Sequence, residues 1–236
     1  MKSTAITENL TQLTRWRFVN SFLVREEDGF TLVDTTLGGG AEALIAAAEA
    51  ADGAIRRIAL THGHGDHVGS LDALRQRLGG SVEVLMPELD ARIHAGEKVV
   101  EGKVRGSWPK LETVPDVRLS GGDRVGSLEV VASPGHSPGH VGFLDTRDRT
   151  LIAGDVFTAY GHLAVTSHFY LRFPFAAMAT WDRAKDVESA QKLRALNPPL
   201  LVVGHGPAQR NPRAAMDRAI ARANRALPAA DVAVHG

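Results

Sequence analysis

Residues 61–67 read Thr61-His62-Gly63-His64-Gly65-Asp66-His67, and the rest of the chain is interpreted outward from this heptapeptide. It follows Ile58 to Leu60, a short apolar run of the kind that forms a buried strand. The histidines therefore fall in a turn leaving a strand end. Two imidazoles at i and i+2 in such a turn can aim at one ion. Asp66 and His67, just past the turn, point elsewhere and can serve a second. Imidazole and carboxylate together suit zinc and other borderline first-row metals. With ten histidines in 236 residues, an H-x-H-x-D-H arises by chance in about one such chain in 1,000.

Further ligands for such a centre are expected at the ends of other strands. His136 stands in S-P-G-H-S-P-G-H after the strand candidate Leu128 to Ala132. Asp155 stands in I-A-G-D after Leu151 to Ala153, and His205 in V-V-G-H-G after Leu200 to Val203. A glycine beside each lets backbone and metal approach closely. Other strands are predicted at Arg17 to Val24, Phe30 to Asp34, Val82 to Met86 and Val141 to Leu144. Helices are predicted at Ala41 to Ala51, Val68 to Leu78 and Pro87 to Ala95. Two more are expected, one capped by Thr180 and running to Leu196, the other opened by Asn211-Pro212 and running to Ala226. Strands and helices mixed in this way predict sheets covered by helices in layers.

Composition narrows the function. Lys+Arg and Asp+Glu both number 27, so the basic excess of a nucleic-acid binder is missing. The absence of cysteine excludes disulfides, iron–sulfur clusters and thiol catalysis. No stretch of about 18 apolar residues and no signal-type leader is evident, so the expectation is a cytoplasmic chain away from the membrane. Two stretches fit the rhythm poorly. Residues 96–115 lack periodicity, and residues 156–179 hold six of the thirteen aromatics. The second stretch is expected to cover a pocket or a partner subunit.

In its motifs THGHGDH, PGHSPGH, GD and GHG, taken in that order, the chain resembles the metallo-β-lactamase superfamily, and Val33-Asp34-Thr35 is similar to that family's early strand motif. The resemblance implies an α/β fold, a four-layer αββα sandwich of two mixed β-sheets flanked by helices, with residues 1–236 as one domain and 156–179 as a pocket-covering insertion. Carried over, His62, His64 and His136 would hold a first zinc ion. Asp66, His67 and His205 would hold a second, and Asp155 would bridge both; iron or manganese are the alternative metals. The activity implied is hydrolysis by a hydroxide shared between the two cations, with Asp66 also placed to pass a proton to the leaving group.

Comparison with the branches of that family narrows the substrate. Zinc β-lactamases commonly carry cysteine where this chain has Asp155, so antibiotic hydrolysis is demoted. Glyoxalase II enzymes share all seven ligands but add a helical domain after the last histidine, where only 31 residues follow here. The expectation is a small, partly apolar ester, lactone or thioester. Tyr160, His162 and His168 are candidates for polarising its carbonyl; lactonases of this family place a tyrosine a few residues after the bridging aspartate, and Tyr160 lies five positions on. A homodimer contact at 156–179 is the competing role for that stretch. A second reading is a persulfide dioxygenase-like enzyme with one iron on His62, His136 and Asp155. Asp34 is expected either to orient a ligand imidazole or to serve its own turn, and His140 to be structural or to support a ligand. His94 and His235 are expected at the surface.

Overall fold

Seven strands form the first sheet in chain order: β1 (Lys2–Ala5), β2 (Leu10–Arg15), β3 (Val19–Glu26), β4 (Gly29–Val33), β5 (Ile55–Ala59), β6 (Glu83–Pro87) and β7 (Val117–Leu119). The first four pair antiparallel and β4 to β7 pair parallel. The computed structural model describes residues 1–171 and 173–227. The second sheet takes β8 (Arg124–Val125), β9 (Leu128–Ala132), β10 (Val141–Asp145) and β11 (Leu151–Ile152) from the middle of the chain. After a separate hairpin of β12 (Phe157–Thr158) and β13 (Ala164–Val165), it is completed by β14 (Leu200–Val202) and β15 (Gln209–Arg210). Its order is β15-β14-β11-β10-β9-β8, with β11 and β14 parallel. The helices are α1 (Ala41–Ala50), α2 (Gly65–Val68), α3 (Leu71–Leu78), α4 (Glu88–His94), α5 (Pro174–Ala179), α6 (Arg183–Ala195) and α7 (Arg213–Ala226).

Strand alternation sorts the apolar side chains into three cores, which makes four layers. Phe22, Val24 and Val33 of the first sheet meet Val130, Phe143 and Val202 of the second in the central core. The opposite face of the first sheet, with Leu23, Leu32 and Ile58, lies against Leu44, Leu71 and Leu74 of α1 and α3. The outer face of the second sheet, with Val131, Leu144 and Leu201, meets Leu193 of α6 and Met216 of α7. Phe22 and Phe143 are fully buried, and truncating either to alanine costs about 3–5 kcal/mol. The expected αββα sandwich is the observed one.

Several local expectations are corrected. The strand expected from Arg17 starts at Val19, because Trp16 and Arg17 take left-handed backbone (φ 48° and 69°) and turn the chain from β2 into β3. Strands β1 and β2 were not expected; Leu10-Thr-Gln-Leu-Thr-Arg15 breaks simple alternation because both Gln12 and Leu13 are buried. The helix expected over Val68 to Leu78 is interrupted after α2, where a Cβ on Gly69 would press on the Gly38 nitrogen at 2.6 Å. Thr180 does not cap α6. Asp182 does, accepting from Lys185 N at 3.0 Å, while Thr180 turns inward. Asn211 is left-handed (φ 49°), and Pro212 is the cap of α7.

The start of α6 is fastened to the loop that carries His136. Trp181 N donates to His136 O and Asp182 N to Gly135 O, at 3.0 and 2.9 Å. Asp186 is buried one turn later, accepting from Ser167 N at 2.8 Å with Thr166 Oγ1 at 3.0 Å. Burial pushes its carboxyl up to about 7, partly offset by the hydrogen bonds from Ser167 and Thr166. The folded chain thus holds this proton more tightly than the unfolded one. The stability it contributes is complete below about pH 4 and is lost as pH rises through about 7. Asp186→Asn cannot ionise, so urea unfolding should show the variant gaining on the wild type by on the order of 2 kcal/mol between pH 5 and pH 8. Parallel stabilities at the two pH values would refute the assignment.

Candidate metal centre

Parallel pairing of β4 with β5 brings Asp34, just past one strand end, beside Thr61, just past the other. Asp34 accepts from Thr61 N at 2.8 Å, from Thr61 Oγ1 at 2.8 Å and from His67 Nδ1 at 2.8 Å. Of its two expected roles it fills both, fixing the turn and orienting an imidazole. Gly63 is required at the tip, since a Cβ there would lie 2.5 Å from the Trp108 ring and 2.7 Å from His94 Nε2. In the second sheet, Asp155 and His205 follow β11 and β14, which are parallel neighbours, and so emerge side by side. His136 comes from the loop between β9 and β10.

These elements bring all seven expected residues together. His62 Nε2 lies 3.1 Å from His64 Nδ1, which lies 3.0 Å from His136 Nε2. His205 Nε2 is 3.2 Å from Asp66 Oδ2, and His67 Nε2 is 3.9 Å from the same oxygen. Asp155 stands between the groups. Its Oδ1 is 3.5 Å from His67 Nε2, and its Oδ2 is 3.1 Å from His205 Nε2 and 3.6 Å from His136 Nε2. Three sets of donor atoms fall within 4.8 Å of one another: His62, His64 and His136; His62, His67 and Asp155; Asp66, His67 and His205.

The electrostatics fit a cation. Burial, reinforced by neighbouring imidazoles, holds His62 and His136 well below the ordinary histidine range, so their lone pairs are free. Burial also opposes charge on His67 and His205, yet the carboxylates outweigh it: Asp155, Asp34 and Asp66 raise His67 well above its usual value, and Asp155 and Asp66 bring His205 up to about 10. Asp66 and Asp155 are held below the carboxylate range by the same two imidazoles against the effect of burial. His67 Nε2 and Asp155 Oδ1 are buried without a hydrogen-bond partner. A divalent ion would satisfy both atoms, and binding it would release the protons now held on these imidazoles.

Each imidazole is steered through its other nitrogen. His62 Nδ1 meets Thr61 Oγ1 at 3.0 Å, His64 Nε2 meets Arg105 O at 3.0 Å, and His136 Nδ1 meets Thr180 Oγ1 at 3.2 Å. His205 Nδ1 donates to Phe18 O at 2.8 Å. Such outer partners fix tautomer and ring direction. His140 supports a ligand without joining the set: its Nε2 accepts from Asp155 N at 3.0 Å, and burial takes it down to about 3, so it stays neutral. His94 is not a surface residue. It is half-buried, with Nε2 2.9 Å from Gly63 O and Nδ1 3.1 Å from Pro109 O. His235 lies outside the described residues.

A cavity of about 720 Å³ opens over the centre. His64, Asp66, His136, Asp155 and His205 form its polar side, and Trp16, Phe18, Leu37, Phe173, Phe175 and Ala179 its apolar side. The three expected carbonyl-polarising residues do not line it. Tyr160 stacks on Phe173 at 5.0 Å, donates to Arg17 O at 3.2 Å and lines a neighbouring cavity of about 480 Å³. Burial pushes its hydroxyl up to about 12. His162 lies against the Tyr170 ring at 4.3 Å, and His168 is half-buried. The wall contributed by Trp16 and Phe18 was missed; the aromatic pair in Trp16-Arg17-Phe18 was its only signal. Among the described residues no helix is long and apolar enough to cross a membrane.

Comparison with known proteins agrees with this geometry. The sequence profile of the metallo-beta-lactamase superfamily matches residues 14–205. The chain is 40% identical over 213 residues to YobT of Bacillus subtilis (strain 168), covering 88% of this chain and 91% of that protein. It is 32% identical over 143 residues to the hydroxyacylglutathione hydrolase GloC of Haemophilus influenzae, covering 58% and 65%. The crystal structure of TTHA1623 in a di-iron-bound form superposes with a TM-score of 0.64 at 28% identity, covering 86% and 94%. This chain belongs to the metallo-β-lactamase superfamily and is a metal-dependent hydrolase.

Removing Asp34 tests the steering of His67. Asp34→Ala should destabilise the metal-free protein by about 3 kcal/mol or more in urea, because it strands a buried imidazole. It should also weaken divalent-ion binding about 10–100-fold in chelator competition. An unchanged urea midpoint would show that these hydrogen bonds carry no stability.

Proposed function

We propose that the chain is a dinuclear zinc-dependent hydrolase that cleaves an ester, thioester or lactone of a small, partly apolar substrate. In this reading His62, His64 and His136 hold one ion, Asp66, His67 and His205 the other, and Asp155 touches both. The observation that carries it is the position of Asp155, whose two oxygens lie 3.1–3.6 Å from imidazoles of both groups. A pair of divalent cations bound there supplies Lewis acidity and lowers the pKa of water. The nitrogen and oxygen donor set also accommodates iron or manganese, and the TTHA1623 relative carries two irons.

The remaining chemistry belongs to the side chains. Asp155 is buried, at 3% exposure, and keeps the two ligand groups in register. Asp66 is 31% exposed on the cavity side, more open than Asp155, and we assign it the transfer of a proton at a carboxylate oxygen to the leaving group. Trp16, Phe18, Phe173 and Phe175 bind apolar parts of the substrate and exclude water around the reacting carbonyl. We read residues 1–236 as one domain in which segment 156–179 covers this cavity. Its exposed Phe169, Leu171 and Met178 also suit contact with a second copy. The close Asp66–His205 contact favours two ions over the single iron of a dioxygenase, which has no need of that pair.

Metal analysis should find two ions per chain, and chelation should abolish turnover of a panel of short acyl thioesters and lactones. Asp66→Ala should lower kcat about 10²–10⁴-fold. Undiminished turnover after verified metal removal would reject the reading.

A further inference from the structure

Helix α4 carries a buried acid that none of the chemistry above uses. Asp90 is fully buried, and its surroundings offer hydrogen-bond donors rather than a cation. Its Oδ2 accepts from Gly63 N at 2.8 Å and from Ser137 Oγ at 2.6 Å, and its Oδ1 accepts from Gly139 N at 2.7 Å. Gly63 lies between His62 and His64, and Ser137 directly follows His136. One carboxylate therefore spans the two loops that supply all three nitrogens of the first group.

The same helix grips the other side of the turn. His94, four residues after Asp90 and so on the same helix face, places Nε2 2.9 Å from Gly63 O. The Gly63 peptide is held at its N–H by Asp90 and at its carbonyl by His94. The fit is close on the second loop as well, where a Cβ on Gly139 would come 2.7 Å from the Asp90 nitrogen and from its Oδ1. A direct backbone bond from the first residue of β10 to the turn, Val141 N to Thr61 O at 2.9 Å, lies at the base of both loops. The tips are joined through Asp90. Keeping an unpaired carboxylate in a dry position is unfavourable, and burial pushes this one up to about 6 in spite of its three donors. Packing alone would be served better by an apolar side chain.

We propose that Asp90 is a positioning residue that sets the spacing between the His62–His64 pair and His136, and so sets the affinity of the first ion site independently of the second. The proposal rests on the ligand assignment of the preceding section. Asp90→Asn turns one acceptor oxygen into a donor facing N–H or O–H groups. Ser137→Ala removes a single one of the three contacts and leaves the carboxylate in place, so it carries the test if Asp90→Asn does not fold.

The test is cobalt(II) binding to metal-free protein, followed by visible absorption and chelator competition, with urea unfolding of the metal-free forms alongside. Wild type should take up two cobalt ions. In Asp90→Asn one of the two should bind about 10–100-fold more weakly while the other stays within about threefold, and Ser137→Ala should shift the same site by less. The cobalt spectrum at one equivalent should change in Asp90→Asn, which a role confined to fold stability would not produce. Two ions bound with wild-type affinities and spectrum in both variants would overturn the proposal alone. Equal weakening of both sites would also overturn it. Failure of the wild type to bind two ions would overturn the ligand assignment beneath it, and the proposal with it.

Discussion

Five imidazoles and two carboxylates gathered at one edge of the two sheets, almost entirely out of water, impose the constraint from which the rest follows. A buried polar group without a partner costs several kcal/mol, and a buried charge more. The fold meets this by giving every imidazole a fixed partner on its outer nitrogen, from Thr61, Arg105, Asp34, Thr180 and Phe18. The inner nitrogens then have one direction left to face. What is unsatisfied, His67 Nε2 and Asp155 Oδ1, is unsatisfied toward the shared centre. The surrounding hydrogen bonds thus leave a set of donor atoms that could hold a cation.

Strand ends are the natural place for such a cluster. Within a strand, alternate residues are committed to one core or another, as Phe22 and Leu23 are to the central and outer cores. Past the last paired residue that commitment ends, and a side chain can turn toward the sheet edge. Asp34, His62, Asp155 and His205 all lie within three residues of a strand's last residue. Parallel pairing of β4 with β5 and of β11 with β14 places those ends side by side.

The seven clustered residues were legible in the sequence because they stand in short glycine-containing His/Asp motifs that follow apolar runs, a local signal that survives without three-dimensional knowledge. The layered fold was legible for the same reason, through runs such as Leu128 to Ala132 and Leu200 to Val203. What was illegible is what depends on contacts distant along the chain. Asp90 sits in Glu-Leu-Asp-Ala-Arg-Ile-His, which reads as an ordinary charged helix, and only the fold reveals that Gly63, Ser137 and Gly139 converge on it. Thr180 reads as a cap for the following helix, yet its hydroxyl is taken by His136 and Ala176 O. For the aromatic stretch 156–179, expected to cover a pocket or a partner subunit, proximity to Asp155 in sequence did not translate into a cavity-facing Tyr160. The β12–β13 hairpin turns that residue toward Arg17, and Phe173 takes the wall position.

The two halves of the cluster take their outer contacts from different kinds of element. The His62, His64 and His136 group is flanked by two helices. The start of α6 bonds to the His136 loop through Trp181 N and Asp182 N, and α4 reaches both loops through Asp90. His205, by contrast, is steered by the carbonyl of Phe18, in a turn whose Trp16 and Arg17 both adopt left-handed backbone and whose Trp16 is 62% exposed. Phe173 lies 4.8 Å from the His205 ring and forms part of the apolar wall. Phe18 and Phe173 of the apolar wall thus both touch His205, one through its carbonyl and one through its ring, whereas the outer contacts of the first group come from two helices.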